Sequence, residues 1–577
     1  MRDKILESLS IDAVMKHTRI LSEDMPHRLA GSDMEKKAAD YIKAHFESVG
    51  IPVTIHEIDA YVSFPGKAQI EVLGPDGRVI EANTFAQSQP TPPEGIEAEL
   101  VHVGSGGIEN YEGVDVTGKI SLAELSYAPP RPEKVRIASA RGAVGQIMMN
   151  WGLPEHNSMP MGTCKPLWGN PTPSTFDQLP RIPAAGIKLA DGQWLAERIK
   201  AGPLRIRLKC QAENRWTKIR QPIARLEGSE EAEKFIVLGG HYDCWGPGAT
   251  DNGTGNAEVL EIARALAAYK GKLRRSVVFA FWAAHETGIM EGSSWYVDRF
   301  WDDLSANGVL YLNVDSTGME GASVFQGTAS HEVARFHREL VREILGIENV
   351  GTAPLARTGD QSFFGVGVPS IYARHSHTPE QQKEWRGATL GWWYHSQFDT
   401  MERVDRTTLA DSVKMHAAYV YELANRKILP LDFVSVASVI GARLETLDKL
   451  GVAIDLKPVI AAAETLKDRA GKLEKEAERL ISSGSNDDAS AFNDALLRLS
   501  RTLTSVTGTV SGRWSQDTYG LTALKTVMPG LYGIEELAKL DPDSHEYKLK
   551  WTDVVRQRNR VIDGISEANR IIETAIG

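Results

Sequence analysis

Between residues 215 and 430 short apolar runs alternate with stretches whose apolar positions recur every three or four residues. The runs are "KFIVLGG", "SVVFAFWAA", "GVLYLNV" and "PSIYARH"; between them lie "GNAEVLEIARALAAY", "GSSWYVDRFWDDL" and "SHEVARFHRELVREIL". Continuous apolar runs are strands buried on both faces, and the intervening periodicity is helical. The alternation predicts an α/β fold: a mixed, mostly parallel sheet flanked by helices. Residues 1–62 add amphipathic helices, including "MEKKAADYIKAHFESVG", and the strand "PVTIHEIDAYVSF". Residues 63–214 differ in character, with short β-type runs ("AQIEVLG", "AELVHVG", "GKISLAEL", "AVGQIMMNW") among many Gly and Pro. They read as a β-rich module inserted into the first unit. From 431 to 577 the pattern is helical, with Leu456, Val459, Ala463, Leu466, Ala470 and Leu473 stepping by three or four. The expected organisation is a catalytic unit (1–62 and 215–430), an insert (63–214) and a helical domain (431–577).

A chain of 577 residues exceeds a single core, in agreement with this division. The net charge of -11, with no Lys/Arg block rising above it, speaks against a nucleic-acid partner and for a small-molecule or peptide substrate. The longest apolar run, "VVFAFWAA", is far below the roughly 20 residues that span a bilayer, and the start has no apolar core of signal-peptide length. No membrane association and a cytoplasmic location are expected. Cys164, Cys210 and Cys244 are odd in number and widely spaced, which fits a reducing compartment.

In open α/β sheets ligands sit beyond the carboxyl ends of the strands. There "KFIVLGG" runs into His241 and Asp243, "SVVFAFWAA" into His285 and Glu286, and "GVLYLNV" into Asp315. Asp251 opens the helix after "WGPGAT", and His395 lies in "WWYHSQFDT". One such residue would be a helix cap or a core histidine; successive strand ends carrying them point to a metal centre. Two imidazoles and three carboxylates suit zinc first, with manganese or cobalt as alternatives. One carboxylate shared by two divalent ions makes a co-catalytic hydrolase site. Asp243 stands where it can accept the other N–H of the His241 ring. No G-x-S-x-G elbow supports a serine hydrolase, and the glycines of "GATDNGTGN" lack the Lys of a phosphate loop. His375 and His377 read as solvated or rim residues and Cys244 as a packed neighbour.

The motifs "GGHYD", "GATDNGTG", "FWAAHETGIMEGS", "NVDS", "GVPSIYAR" and "YHSQFDT" resemble those of the glutamate carboxypeptidase II and transferrin receptor family of two-zinc aminopeptidase-fold proteins. The insert, with "YEGVDVTGKISLAEL" and "IPAAGIKLADGQWL", resembles a protease-associated domain, and the tail, with "MPGLYGIEEL", a helical dimerisation domain. The resemblance implies His241 and Asp315 on one metal, Glu286 and His395 on the other, and Asp251 bridging them. It also implies a homodimer through the helical domain, Tyr394 as donor to a developing oxyanion, and Arg374 and Tyr519 as substrate-binding residues, Arg374 holding a carboxylate. Asp360 matches a family aspartate with a structural or supporting role. Thr518 and Tyr372 stand where the family has Lys and a second Arg, so strong preference for a dicarboxylic side chain is not implied.

The family has Glu-Glu where this chain has His285-Glu286, the first Glu being the general base. An imidazole there takes up a proton to become a cation beside two metal charges, which push its pKa down. Three readings stay open: His285 as base or proton shuttle of a hydrolase of an amide or peptide-like bond whose substrate or leaving group differs from a common peptide, His285 as a sixth protein ligand or as the acid/base of a non-hydrolytic lyase or decarboxylase on the same metals, and a catalytically silent binding protein.

Overall fold

The computed structural model describes residues 1–75, 77–355, 358–483, 485–518 and 526–577. Its strands are β1 (Val53–Val72), β2 (Val79–Thr84), β3 (Ile96–His102), β4 (Ile120–Glu124), β5 (Gly145–Met149), β6 (Ala184–Ile187), β7 (Leu204–Leu226), β8 (Glu231–His241), β9 (Arg275–Trp282), β10 (Gly308–Asn313), β11 (Val324–Ala329), β12 (Gly351–Pro354) and β13 (Ser370–Ser376). They form one mixed sheet in the order β1-β2-β6-β5-β4-β3-β7-β9-β8-β10-β13-β11-β12. β9, β8, β10 and β13 are mutually parallel neighbours. Their carboxyl ends therefore share one edge, where the site lies.

The apolar runs are continuous because both faces are covered. Ile236 and Leu238 of β8 point into the large cluster shared with the helices Asp33–Ser48, Thr254–Ala267 and Arg406–Asn425. Phe235 and Val237 point the other way, into a cluster with Trp282, Tyr296, Tyr311 and Phe363. The two-residue period of a strand makes this division. "GSSWYVDRFWDDL" forms two helices, Glu291–Arg299 and Trp301–Asn307, because Phe300 leaves helical geometry at φ -113° and ψ 28°. The tail helices Phe433–Asp448, Lys457–Ser483, Asn486–Gly508 and His545–Ile576 bury their apolar stripes in the same large cluster as the catalytic helices.

The insert has its own apolar clusters, one around Ile70, Leu122, Ile147 and Leu208 and one around Phe85, Val135 and Met148. It is nevertheless joined to the rest by sheet. β1 and β7 pair antiparallel from Val53↔Ala224 to Val72↔Ile206, so residues 62–63 and 214–215 fall inside strands. β1 contacts both β2 and β7, closing the insert strands into a ring. Two long paired strands hold the insert more rigidly than loops would.

A buried ion pair makes a second junction. Lys165 of the insert donates to Glu291 Oε1 at 2.7 Å, Gly169 O at 2.7 Å and Gly288 O at 2.5 Å. Both charged side chains are fully buried. The pair fixes the turn that follows Glu286 against the insert. Lys165→Met leaves a buried carboxylate unpaired, a change that costs about 3–5 kcal/mol. The expected outcome is a clear fall in the thermal unfolding midpoint, partly restored in Lys165→Met/Glu291→Leu; an unchanged midpoint in the single variant contradicts this account.

Candidate metal centre

Asp251 lies at the middle of a dense cluster. Its Oδ1 is 3.1 Å from His241 Nε2, and its Oδ2 is 3.2 Å from His395 Nε2. His241 Nε2 is also 3.5 Å from Asp315 Oδ1, and His395 Nε2 is 3.1 Å from Glu286 Oε1. Ligand atoms of His241, Asp251 and Glu286 lie within 4.8 Å of one another. His241 ends β8, Glu286 follows β9 and Asp315 follows β10, so three adjacent parallel strands deliver them together. Asp251 does not open the following α-helix. It precedes that helix in a tight turn, with extended backbone at φ -125° and ψ 92°.

The turn is held by buried polar groups. Asp399 accepts from Thr250 N at 2.9 Å, Thr250 Oγ1 at 2.6 Å and Asp251 N at 3.0 Å. Asn252 donates to His241 O at 3.1 Å and Val314 O at 2.8 Å, and its Oδ1 accepts from Ser316 N at 3.2 Å. Only glycine fits at 240, since a Cβ there would meet Val314 O at 2.1 Å and Asn252 Nδ2 at 2.7 Å. Ala284, Ser316 and His395 all have positive φ, at 57°, 53° and 55°. Non-glycine residues in that region carry strain of order 1 kcal/mol or more each, sustained by the packing around them.

Electrostatics match crowding of opposite charges. Burial alone would lower the pKa of His241, but the nearby carboxylates of Asp243, Asp251 and Asp315 hold it well above the usual imidazole value. Burial likewise pushes Asp251 upward, and His241 and His395 reverse it to well below the carboxylate range. Asp399, buried beside Asp251, is raised to about 6 by desolvation.

The donor set fits a divalent cation. Glu286 Oε1 and His395 Nε2 are buried and make no hydrogen bond, although they are only 3.1 Å apart. Lone pairs so placed converge on a shared centre instead of bonding each other. The donors are nitrogen and oxygen only, the pattern of a zinc-type site.

Supporting residues fall into two groups. Asp243 accepts from the backbone N–H groups of His285 at 3.2 Å and Glu286 at 2.9 Å. Its carboxylate stands 3.7 Å from His241 Nδ1, which instead meets the Asp243 carbonyl at 2.9 Å. Trp245 Nε1 donates to Glu286 Oε2 at 2.8 Å. His285 stacks on His241 with ring centroids 3.8 Å apart, and its Nδ1 is 3.0 Å from Asp360 Oδ2. Desolvation and the charge of His241 work to lower the His285 pKa; the Asp360 carboxylate outweighs them and raises it to about 9. Tyr394 stacks on His395 at 3.8 Å and on Trp151 of the insert at 5.8 Å.

Arg374 donates to the Asp315 carbonyl at 2.9 Å and to the Tyr372 hydroxyl, and Tyr372 donates to Asp315 Oδ2 at 3.1 Å. It lines a cavity of about 320 Å³ with Gln326, Thr328 and Tyr372. A separate cavity of about 390 Å³ contains His285, Glu286, Tyr394 and His395. Tyr519 lies outside the described residues. Sequence reasoning did not single out Asp399, Asn252, Trp245 or Arg131. The first three fall within or beside motifs that drew attention to other residues. Arg131 comes from the insert, and only folding brings its Nη2 to 3.5 Å from His395 Nδ1.

Sheet order, helical covering and a donor cluster at the strand ends define an aminopeptidase-like α/β protein. Residues 222–420 match the model of peptidase family M28, and residues 96–195 that of the PA domain. A probable glutamate carboxypeptidase of Arabidopsis thaliana is 25% identical over 603 residues, covering 89% of this chain and 83% of its own length. An aminopeptidase of Bacillus subtilis is 26% identical, covering 71% of this chain and 84% of its own. The crystal structure of a zinc aminopeptidase from Bacillus subtilis superposes with a TM-score of 0.56 at 24% identity, covering 73% of this chain and 97% of its own.

Zinc added to chelator-stripped protein is expected to be retained through gel filtration, and Asp251→Ala to retain far less, by elemental analysis. Equal retention by both proteins contradicts the convergence on Asp251.

Proposed function

We propose that the chain is a two-metal hydrolase of an amide or peptide-like bond. His241 and Asp315 would hold one ion, Glu286 and His395 the other, and Asp251 both. The observation that carries this reading is the disposition of Asp251, whose two oxygens face His241 on one side and His395 on the other. The zinc named for the Bacillus subtilis aminopeptidase supports zinc as the metal, and the related aminopeptidases and probable glutamate carboxypeptidases support a small peptide or amide as substrate. When bound, two such ions polarise a carbonyl and acidify a water molecule near neutral pH.

The side chains then divide the work. Asp243 and Trp245 orient Glu286, and Tyr372 orients Asp315, so the donors need little rearrangement. Asp360 takes the Nδ1 side of His285; where the charges of bound metals offset the upward pull of Asp360, Nε2 would be free to accept a proton from the attacking water and return it to the leaving nitrogen. The Tyr394 ring, packed on His395 and on Trp151, lines the same cavity, and its hydroxyl would donate to the carbonyl oxygen as charge develops. Arg374 steadies Asp315 through its carbonyl and is available to a substrate carboxylate in the neighbouring cavity.

A homodimer through the helical domain accords with Leu450, Ile481 and Leu549 being exposed there, at 42%, 61% and 61%. The three cysteines are free, in keeping with a cytoplasmic setting, and no helix among the described residues is long and apolar enough to cross a membrane.

About two equivalents of zinc per chain are expected after reconstitution, with amide cleavage that disappears on chelation. His285→Ala is expected to lower kcat by roughly 10²–10⁴-fold with zinc content unchanged. If wild type is inert towards a panel of aminoacyl, acidic and acylated amides and His285→Glu cleaves them, the proton-shuttle role is wrong.

A further inference from the structure

A run of buried hydrogen bonds leads from the insert to His285. The indole N–H of Trp168 donates to Ser362 Oγ at 2.8 Å, Ser362 Oγ lies 2.8 Å from Ser293 Oγ, and Ser293 donates to Asp360 Oδ1 at 2.9 Å. Asp360 Oδ2 faces His285 Nδ1 at 3.0 Å. Ser293, Asp360 and Ser362 are fully buried, and Trp168 is nearly so. The insert end of the run is fixed in place. Gly169 N donates to Ile289 O at 2.8 Å, Trp168 packs with Ile289 and Met290, and a Cβ on Gly169 would meet Ser294 Cβ at 2.7 Å. The helical tail reaches the same point, with Gln516 donating to Ser362 O at 3.0 Å. Three parts of the chain thus meet at Ser362.

Donor and acceptor chemistry gives the run a direction. An indole N–H can only donate, and an ionised carboxylate can only accept. Ser362 Oγ has two lone pairs, which Trp168 and Ser294 Oγ, at 3.2 Å, can fill, so its own hydrogen goes to Ser293. Ser293, accepting from Ser362, gives its hydrogen to Asp360 Oδ1, since its other acceptor, Met290 O, is farther away at 3.4 Å. With Oδ1 so held, the plane of the carboxylate is set and Oδ2 is turned to His285. We propose that Ser293 and Ser362, together with Trp168, are positioning residues: their one-way chain keeps Asp360 an acceptor for the Nδ1–H of His285 and leaves Nε2 for the cavity that His285 lines. None of the three lines that cavity, so their effect passes through Asp360. The catalytic consequence rests on the hydrolase reading above; the hold on the imidazole ring does not.

The full chain, metal-free and zinc-loaded, is compared as wild type, Ser293→Ala, Ser293→Cys and Trp168→Phe, with ¹⁵N-labelled histidine. In wild type the Nδ1 proton of His285, identified in the NMR spectrum by its loss in His285→Gln, is expected at low field and slow to exchange with solvent. Ser293→Ala is expected to move it upfield or broaden it away. Ser293→Cys, which keeps the volume with a weaker donor, and Trp168→Phe, which keeps a ring without the N–H, are expected to shift it less in the same direction. On an amide that wild type cleaves, Ser293→Ala is expected to lower kcat about tenfold or more with KM and zinc content unchanged, the size usual for groups that orient a site from outside it. A lower thermal unfolding midpoint with the resonance and kcat both retained marks a purely structural role and overturns the proposal, as does a wild type without the low-field resonance. If wild type cleaves no amide yet the resonance responds as stated, the hydrolase reading falls and the positioning chain stands.

Discussion

Everything at the carboxyl edge of the sheet depends on one buried carboxylate facing two imidazoles. Asp251 is nearly inaccessible to solvent, with Glu286 and Asp315 as close neighbours. Three carboxylates in so small a volume repel one another, and burial penalises each. Cationic character at His241 and His395 offsets that repulsion among the side chains, and divalent ions would offset it more fully. The geometry and the charge balance therefore have the same requirement, a positive centre on each side of Asp251.

Holding such a cluster demands a stiff surround. Asp399 and Asn252 fix the Asp251 turn through buried hydrogen bonds, and three site-adjacent residues keep left-handed backbone. Strain of this kind persists where the neighbouring structure over-determines it. Here the surround is sheet buried on both faces, below, and the insert, above. The insert contributes through long paired strands and through the Lys165–Glu291 pair, so its position relative to the strand ends is set by main-chain hydrogen bonds and by a charge pair that cannot easily open.

The surroundings of His285 suit an imidazole better than a carboxylate. A glutamate in that place would stand as a fourth carboxylate close to Glu286. His285 instead brings its own carboxylate partner, Asp360, which in turn accepts from Ser293 at 2.9 Å. Its stacking on His241 fixes the plane of the ring. The orientation of His285 is thus tied to that of His241 through one stacked pair.

Much of this was legible in the sequence because it is written in local patterns. The apolar runs and the 3.6-residue periodicity marked the central parallel strands and most of the helices that cover them, and chemistry-bearing residues directly after apolar runs marked the edge of the sheet. Residues whose meaning depends on distant partners were not legible: Asp399 matters only where it meets Thr250 and Asp251, and Arg131 only where the insert folds over His395. By itself the sequence determined the element types, the edge that bears the chemistry and the donor atoms available there. The tertiary structure alone decided that Asp251 divides its oxygens between two histidines, that Asp360 claims His285 and that the insert walls the cavity. The reason is physical: hydrophobic periodicity acts within a few residues of chain, whereas hydrogen bonding and charge pairing act across a few ångströms of space that only the finished packing brings together.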